Sequence, residues 1–173
     1  MNVVTCNYET HAAPILAILN EAIVSSTALF DYRPREPASM VEWFRAKEAR
    51  GFPVLGAVEA SGKLLGFATY GTFRGWPAYK YTVEHSVYVH KDHRRKGIAR
   101  ELLTRLVATA EQQGLHVMVA GIDAANAASI ALHEQLGFAY AGTIHHAGFK
   151  FGRWLDLVFY ELRLRTPAAP VDG

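Results

Sequence analysis

A chain of 173 residues, half of them hydrophobic, is long enough to bury one core and short for two, so a single domain over residues 1–165 is expected, with 166–173 as a frayed tail. A net charge of +2 is too small to argue for nucleic-acid binding, no apolar window approaches the ~18 residues of a membrane span, and the lone cysteine, Cys6, excludes an internal disulfide. With no basic, apolar leader over residues 1–7, the expectation is a cytoplasmic protein that handles small molecules.

Along the chain, a short strand over residues 2–8 precedes a helix over 11–24, where Ile15, Leu16, Ile18, Leu19, Ala22 and Ile23 recur at helical spacing. Polar residues and Pro34 break that period, leaving a loop that still carries Leu29, Phe30 and Tyr32 and reads as a lid. Ser39 is placed as the N-cap of a second helix, with Glu42 at capping-box spacing and Gly51 as its stop. From Pro53 the period becomes that of strands, over 54–59, 64–73 and 79–90, which predicts an antiparallel meander. A helix over 98–113 buries Ile98, Leu102, Leu103, Leu106 and Ala110; a strand over 115–122, a helix over 126–136 and strands over 138–146 and 154–164 follow. The order predicts an α/β (α+β) fold, a mixed sheet with helices on both faces and a parallel crossover between the fourth and fifth strands.

The junction after the fourth strand carries most of the chemistry. Val87, Tyr88 and Val89 run into Arg94-Arg95-Lys96-Gly97-Ile98-Ala99-Arg100, a basic loop with small residues at 97 and 99 that opens a helix. Such a loop suits a phosphate: glycine lets the backbone approach the ligand, the first-turn N–H groups are left without helical partners, and the helix dipole adds about half a positive charge. Neither G-x-x-x-x-G-K-[ST] nor G-x-G-x-x-G is present, so another diphosphate ligand is indicated. The eight histidines raise a metal site, but helical His-x-x-x-His spacing and a Cys pair are lacking, and His145 and His146 would face opposite sides of a strand, so no metal is expected.

The Arg-x-x-Gly-x-Ala loop, followed by Asn-Ala-Ala-Ser-Ile-Ala-Leu-His-Glu-Gln-Leu-Gly-Phe at residues 126–138, resembles the acetyl-CoA site of the GNAT superfamily of N-acetyltransferases. Residues 82–89, 116–123 and 149–157 narrow the likeness to the phosphinothricin and methionine sulfoximine or methionine sulfone acetyltransferases. The resemblance implies a mostly antiparallel sheet of about seven strands whose fourth and fifth strands splay apart, so that the pantetheine arm of acetyl-CoA pairs with Val87, Tyr88 and Val89. It also implies a pyrophosphate held by residues 94–100, a homodimer, and a substrate that is the α-amino group of a small amino-acid analogue. Acetylation of another amine, such as an ordinary amino acid, a polyamine or a protein terminus, is the enzymatic rival. Sensing of acetyl-CoA without catalysis is the rival of another class.

Acyl transfer from a thioester to an amine needs a neutral nucleophile, donors for the oxyanion and a proton for the thiolate. Glu84 is the first choice to deprotonate the ammonium, directly or through water, or to bind it; strand alternation puts it on one face with Ser86 and Tyr88, and His85 on the other. His133, where the superfamily has tyrosine, is either the acid for the thiolate or a helix-surface imidazole that hydrogen-bonds the cofactor; Asn126 and Ser129 share its face, and Asn126 reads equally as an N-cap. Arg74, before Gly75 and Trp76, suits the carboxylate or tetrahedral head group of such a substrate. Phe30, Tyr32, Trp76 and Phe149 are candidate pocket walls, Gly75, His85, Ser86 and Asn126 are further substrate-binding candidates, and residues 149–154 read equally as a dimer element.

Overall fold

A computed structural model describes residues 1–172. Seven strands hydrogen-bond in the order β1-β2-β3-β4-β5-β7-β6: β1 (Asn2–Thr5), β2 (Val54–Val58), β3 (Leu64–Thr72), β4 (Thr82–Val89), β5 (Val117–Asp123), β6 (Ala139–Lys150) and β7 (Arg153–Arg163). Four helices accompany them: α1 (Tyr8–Ser25), α2 (Ser39–Ala49), α3 (Ile98–Gln112) and α4 (Ala127–Gln135). The mixed α/β fold and its element order are as the sequence predicts. The chain divides into two compact units, residues 1–70 with 86–106, and residues 71–85 with those from 107 onward, so that β4 leaves one unit after His85 and α3 leaves the other after Leu106.

In the first unit, α1 starts three residues earlier than expected because Asn7 caps it, its side chain accepting from the Thr10 N–H at 2.8 Å. Its buried face, Ile15, Leu16, Ile18, Leu19, Ala22 and Ile23, is the one predicted, and Ile15, Leu16, Ile18 and Leu19 pack with Met40 and Phe67 in one apolar cluster. Each such side chain contributes roughly 1.5 to 3 kcal/mol by leaving water. Ser39 does not cap α2. The chain enters that helix through a tight turn from Pro37, in which Ser39, Met40 and Val41 donate to the carbonyls of Glu36, Pro37 and Ala38, and Glu42 pairs with Arg45 at 2.8 Å instead of reaching back. Gly66 on β3 is a close-approach position: a Cβ there would lie 2.7 Å from the Tyr88 carbonyl oxygen.

In the second unit, β5 pairs antiparallel with β7 from Val117↔Arg163 to Asp123↔Leu157, and β7 pairs with β6. The strand expected from Tyr79 begins only at Thr82, since Pro77–Tyr79 forms a turn of 3-10 helix. The strand expected to end at His146 runs on to Lys150 through an irregularity between Ile144 and Gly148, where His146 takes φ of 53°. At that bulge one Asp156 carboxylate meets His145 Nδ1 at 2.9 Å and accepts from the His146 backbone N–H at 2.8 Å, while the His146 ring stacks on Trp154 with centroids 5.7 Å apart. Beyond β7, the Thr166 hydroxyl donates to the Leu115 carbonyl at 2.5 Å and the Val171 N–H donates to the Tyr81 hydroxyl at 3.1 Å.

The parallel register of β4 and β5 is short. It runs Thr82↔Val117, Val83↔Met118 and Glu84↔Val119, although β4 continues to Val89 and β5 to Asp123.

Candidate active site

Alternation along β4 separates two titratable neighbours. Glu84 is half-buried where the ladder ends, and His85 is buried on the opposite face. Burial raises the Glu84 pKa above the ordinary carboxylate value because it penalises the charged form, and the nearby Arg74 guanidinium partly offsets this. Arg74 is exposed and lies over the Phe73 ring, 4.8 Å from its centroid. Gly121, a neighbour that sequence reasoning missed, abuts the carboxylate: a Cβ on it would lie 2.9 Å from Glu84 Oε1. The available signal was a glycine inside a strand, which marks close approach of another group.

On the other face, His85 and His133 form a buried stack with ring centroids 5.0 Å apart, and Phe138 packs edge-on to both. Hydrogen-bond logic assigns the tautomers. The Ser129 carbonyl, 2.7 Å from His133 Nδ1, can only accept, so that nitrogen carries a proton and His133 Nε2 is a bare acceptor. His85 Nε2, 3.0 Å from it, then donates, which leaves His85 Nδ1 without a proton and, buried, without a partner. Desolvation lowers both pKa values, that of His85 to about 3, so both rings are neutral. The expectation of a helix-surface imidazole at 133 is corrected by its exposure of 1%. Both His133 nitrogens face protein partners, and helix periodicity could not have revealed this because the second partner is 48 residues away.

Asn126 is the N-cap of α4, its side chain accepting from the Ser129 N–H at 3.1 Å. Ser129 Oγ lies 3.4 Å from His133 Nδ1, so Asn126, Ser129 and His133 do share one helix face. Gly75, Trp76 and Phe149 are exposed, Trp76 at 75%; Phe149 meets the Trp154 ring edge-on.

In the first unit, Ser86, Val87, Tyr88 and Val89 complete β4, and the loop that follows is shaped by two left-handed residues, Arg95 at φ 64° and Gly97 at φ 78°. Open space surrounds Gly97, so it is backbone conformation that requires glycine there. Ile98 is buried; Ala99 is half-buried, while Arg95, Lys96 and Arg100 are exposed at the start of α3, a cationic helix N-terminus fit for a diphosphate. Arg94 has other ties, as its guanidinium pairs with Glu21 at 2.7 Å and donates to the Val89 carbonyl at 3.3 Å. Phe30, 38% exposed, lies in the loop that Arg35 fastens through Asp31 and Asn20.

Residues 17–138 match the acetyltransferase (GNAT) family. The chain is 48% identical over 157 residues to the L-methionine sulfoximine/L-methionine sulfone acetyltransferase of Pseudomonas paraeruginosa, which spans 90% of this chain and 91% of that protein. It is 42% identical over 158 residues to an L-amino acid N-acyltransferase of Escherichia coli, covering 91% of each. Among solved structures, a phosphinothricin acetyltransferase of Sinorhizobium meliloti in complex with AcCoA superposes with a TM-score of 0.93 at 32% identity, over 98% of this chain and 91% of that one.

Proposed function

This chain belongs to the acetyltransferase (GNAT) family, and from that premise we propose that Glu84 deprotonates the α-amino group of a small amino-acid analogue, which then takes the acetyl group of acetyl-CoA directly. The chain is an acetyl-CoA-dependent N-acetyltransferase, and the substrate class is read from relatives that act on methionine sulfoximine and methionine sulfone. One observation carries the base assignment. Glu84 is a carboxylate held half out of water at the end of a ladder, with its pKa raised toward the range useful to a general base, three residues before Val87.

In this reading, backbone groups of Val87, Tyr88 and Val89 hold the pantetheine, and Arg95, Lys96, Gly97, Ile98, Ala99 and Arg100 hold the pyrophosphate. Arg94 supports the loop through Glu21 more than it binds ligand. Glu84 takes a proton from the ammonium, the neutral amine attacks the thioester carbonyl, the C–N bond forms and the C–S bond breaks. An N–H of the 87–89 stretch stabilises the oxyanion. The second proton that the nitrogen sheds as the amide forms passes through water to the departing thiolate, and His133 is a support for β4. Arg74 binds the substrate carboxylate or head group, with Gly75, Trp76, Ser86, Phe30 and Phe149 as candidate walls.

A homodimer belongs to the same reading, supported by exposed Phe149, Phe151 and Trp154 on β6, β7 and the turn that joins them, as does a cytoplasmic location, which suits a cysteine kept as a thiol. The test is thiol release from acetyl-CoA against a panel of methionine sulfoximine, methionine sulfone, phosphinothricin, ordinary L-amino acids and a polyamine. The oxidised methionine analogues are expected to give the highest kcat/KM. Best turnover of a polyamine would overturn the substrate class, and no release with any amine would overturn catalysis.

A further inference from the structure

We infer that Gly121 is a positioning residue for Glu84, and that its missing side chain is what leaves the carboxylate its place. The inference rests on Glu84 being the group that takes the substrate's proton. Gly121 sits within β5, paired opposite Phe159, and is exposed while Val119, Ala120, Ile122 and Asp123 are buried. Its φ lies outside the left-handed region, so conformation does not call for glycine, and a glycine in a strand interior is locally less favourable than alanine. Space does call for it. A Cβ would meet Leu157 Cδ1 and Phe159 Cε1 at 3.6 Å, which is ordinary contact, but would lie 2.9 Å from Glu84 Oε1.

The atom that would have to yield is the tip of a flexible side chain, so alanine at 121 displaces the carboxylate and spares the strand. Displacement of a base by about 1 Å from its working geometry costs up to ~10²-fold in rate. Gly121 thereby holds the base where Arg74 tempers its charge, without touching substrate itself.

The test is Gly121→Ala beside Glu84→Gln and the double variant. Gly121→Ala is expected to keep the fold and the acetyl-CoA KM, to lower kcat/KM for the amine roughly 10- to 100-fold, and to move both the acid limb of the pH profile and the Glu84 titration followed by carboxyl carbon NMR. Added to Glu84→Gln, it is expected to cost no further activity. A Gly121→Ala enzyme with wild-type kcat/KM and an unmoved Glu84 titration overturns the inference. If Glu84→Gln itself keeps the wild-type rate, the reading of Glu84 as base fails, and the NMR titration of Gly121→Ala still decides the positioning. Should Gly121→Ala not fold, Gly121→Ala with Glu84→Ala, which removes the crowding oxygen, must fold; failure of that pair overturns the inference as well.

Discussion

Glu84 and His85 are chain neighbours with opposite fates. Desolvation pushes each toward its neutral form, raising the carboxyl and lowering the imidazole. On one face the penalty falls on a half-exposed group with a cation, Arg74, nearby, so the charge can still be summoned. On the other face the ring is 7% exposed, bonded to His133 and packed by Phe138, so the charge is refused. A single strand thus builds a reactive group and an inert one by alternation alone, and a perturbed pKa marks function only where the proton has somewhere to go.

The largest effect should follow from removing the reactive member. Glu84→Gln keeps the shape and loses the proton acceptor, so kcat/KM for the amine is expected to fall roughly 10² to 10⁴-fold, with partial recovery at high pH as more amine arrives neutral. Since the folded Glu84 pKa is raised, ionisation works against the fold at neutral pH, and the Gln variant should melt no lower than wild type. A fall in Tm with activity retained would make Glu84 the structural member of the pair.

A smaller effect is expected at Arg74. Arg74→Ala should raise the amine KM by about 10- to 100-fold, corresponding to ~1.5 to 3 kcal/mol for a charge-assisted contact, with acetyl-CoA KM little changed. Loss of that cation also lets the Glu84 pKa climb further, so the acid limb of kcat/KM should shift to higher pH. An unmoved limb, read from the pH profile, would show that Arg74 does not act on the base.

The smallest catalytic effect, and the clearest effect on stability, belongs to the inert face. His133→Phe strands the His85 Nε2–H in the core, which costs about 1 to 3 kcal/mol and roughly 2 to 10 °C in Tm, while kcat/KM of the folded enzyme stays within about threefold. Both histidine pKa values are lowered in the fold, so the stability they confer is complete above the unfolded value of ~6.5 and is lost as pH falls toward about 3 for His85. Denaturant titrations from pH 7 to 4 should show a shallower decline for His133→Phe than for wild type. A variant with wild-type Tm and a large loss in kcat would restore His133 as an acid for the thiolate and erase the contrast.

What the sequence reveals of this arrangement follows from the range of the forces. Alternation is local, so it places 84, 86 and 88 together and 85 apart; periodicity is local, so it finds the buried faces of α1 and α3. The Arg95 and Gly97 loop is legible because its chemistry lies in consecutive residues. Pairings across long stretches of chain are not: His85 with His133, Glu84 with Gly121, and Asp156 with a bulge at 145 and 146 each need the sheet to be assembled first. Ser39 misleads for a local reason, since carbonyls of the preceding turn satisfied the N–H groups that a cap would have served.

The buried thiol of Cys6 has a practical consequence. It is the chain's one cysteine, it is 8% exposed, and burial pushes its pKa up to about 12, so the native protein carries almost no thiolate for a disulfide reagent to find. Thiol released from acetyl-CoA can therefore be counted by such reagents with little background from the enzyme. Under denaturant the same reagents invert their use, since the rate at which Cys6 becomes labelled reports how often the apolar cluster around α1 opens.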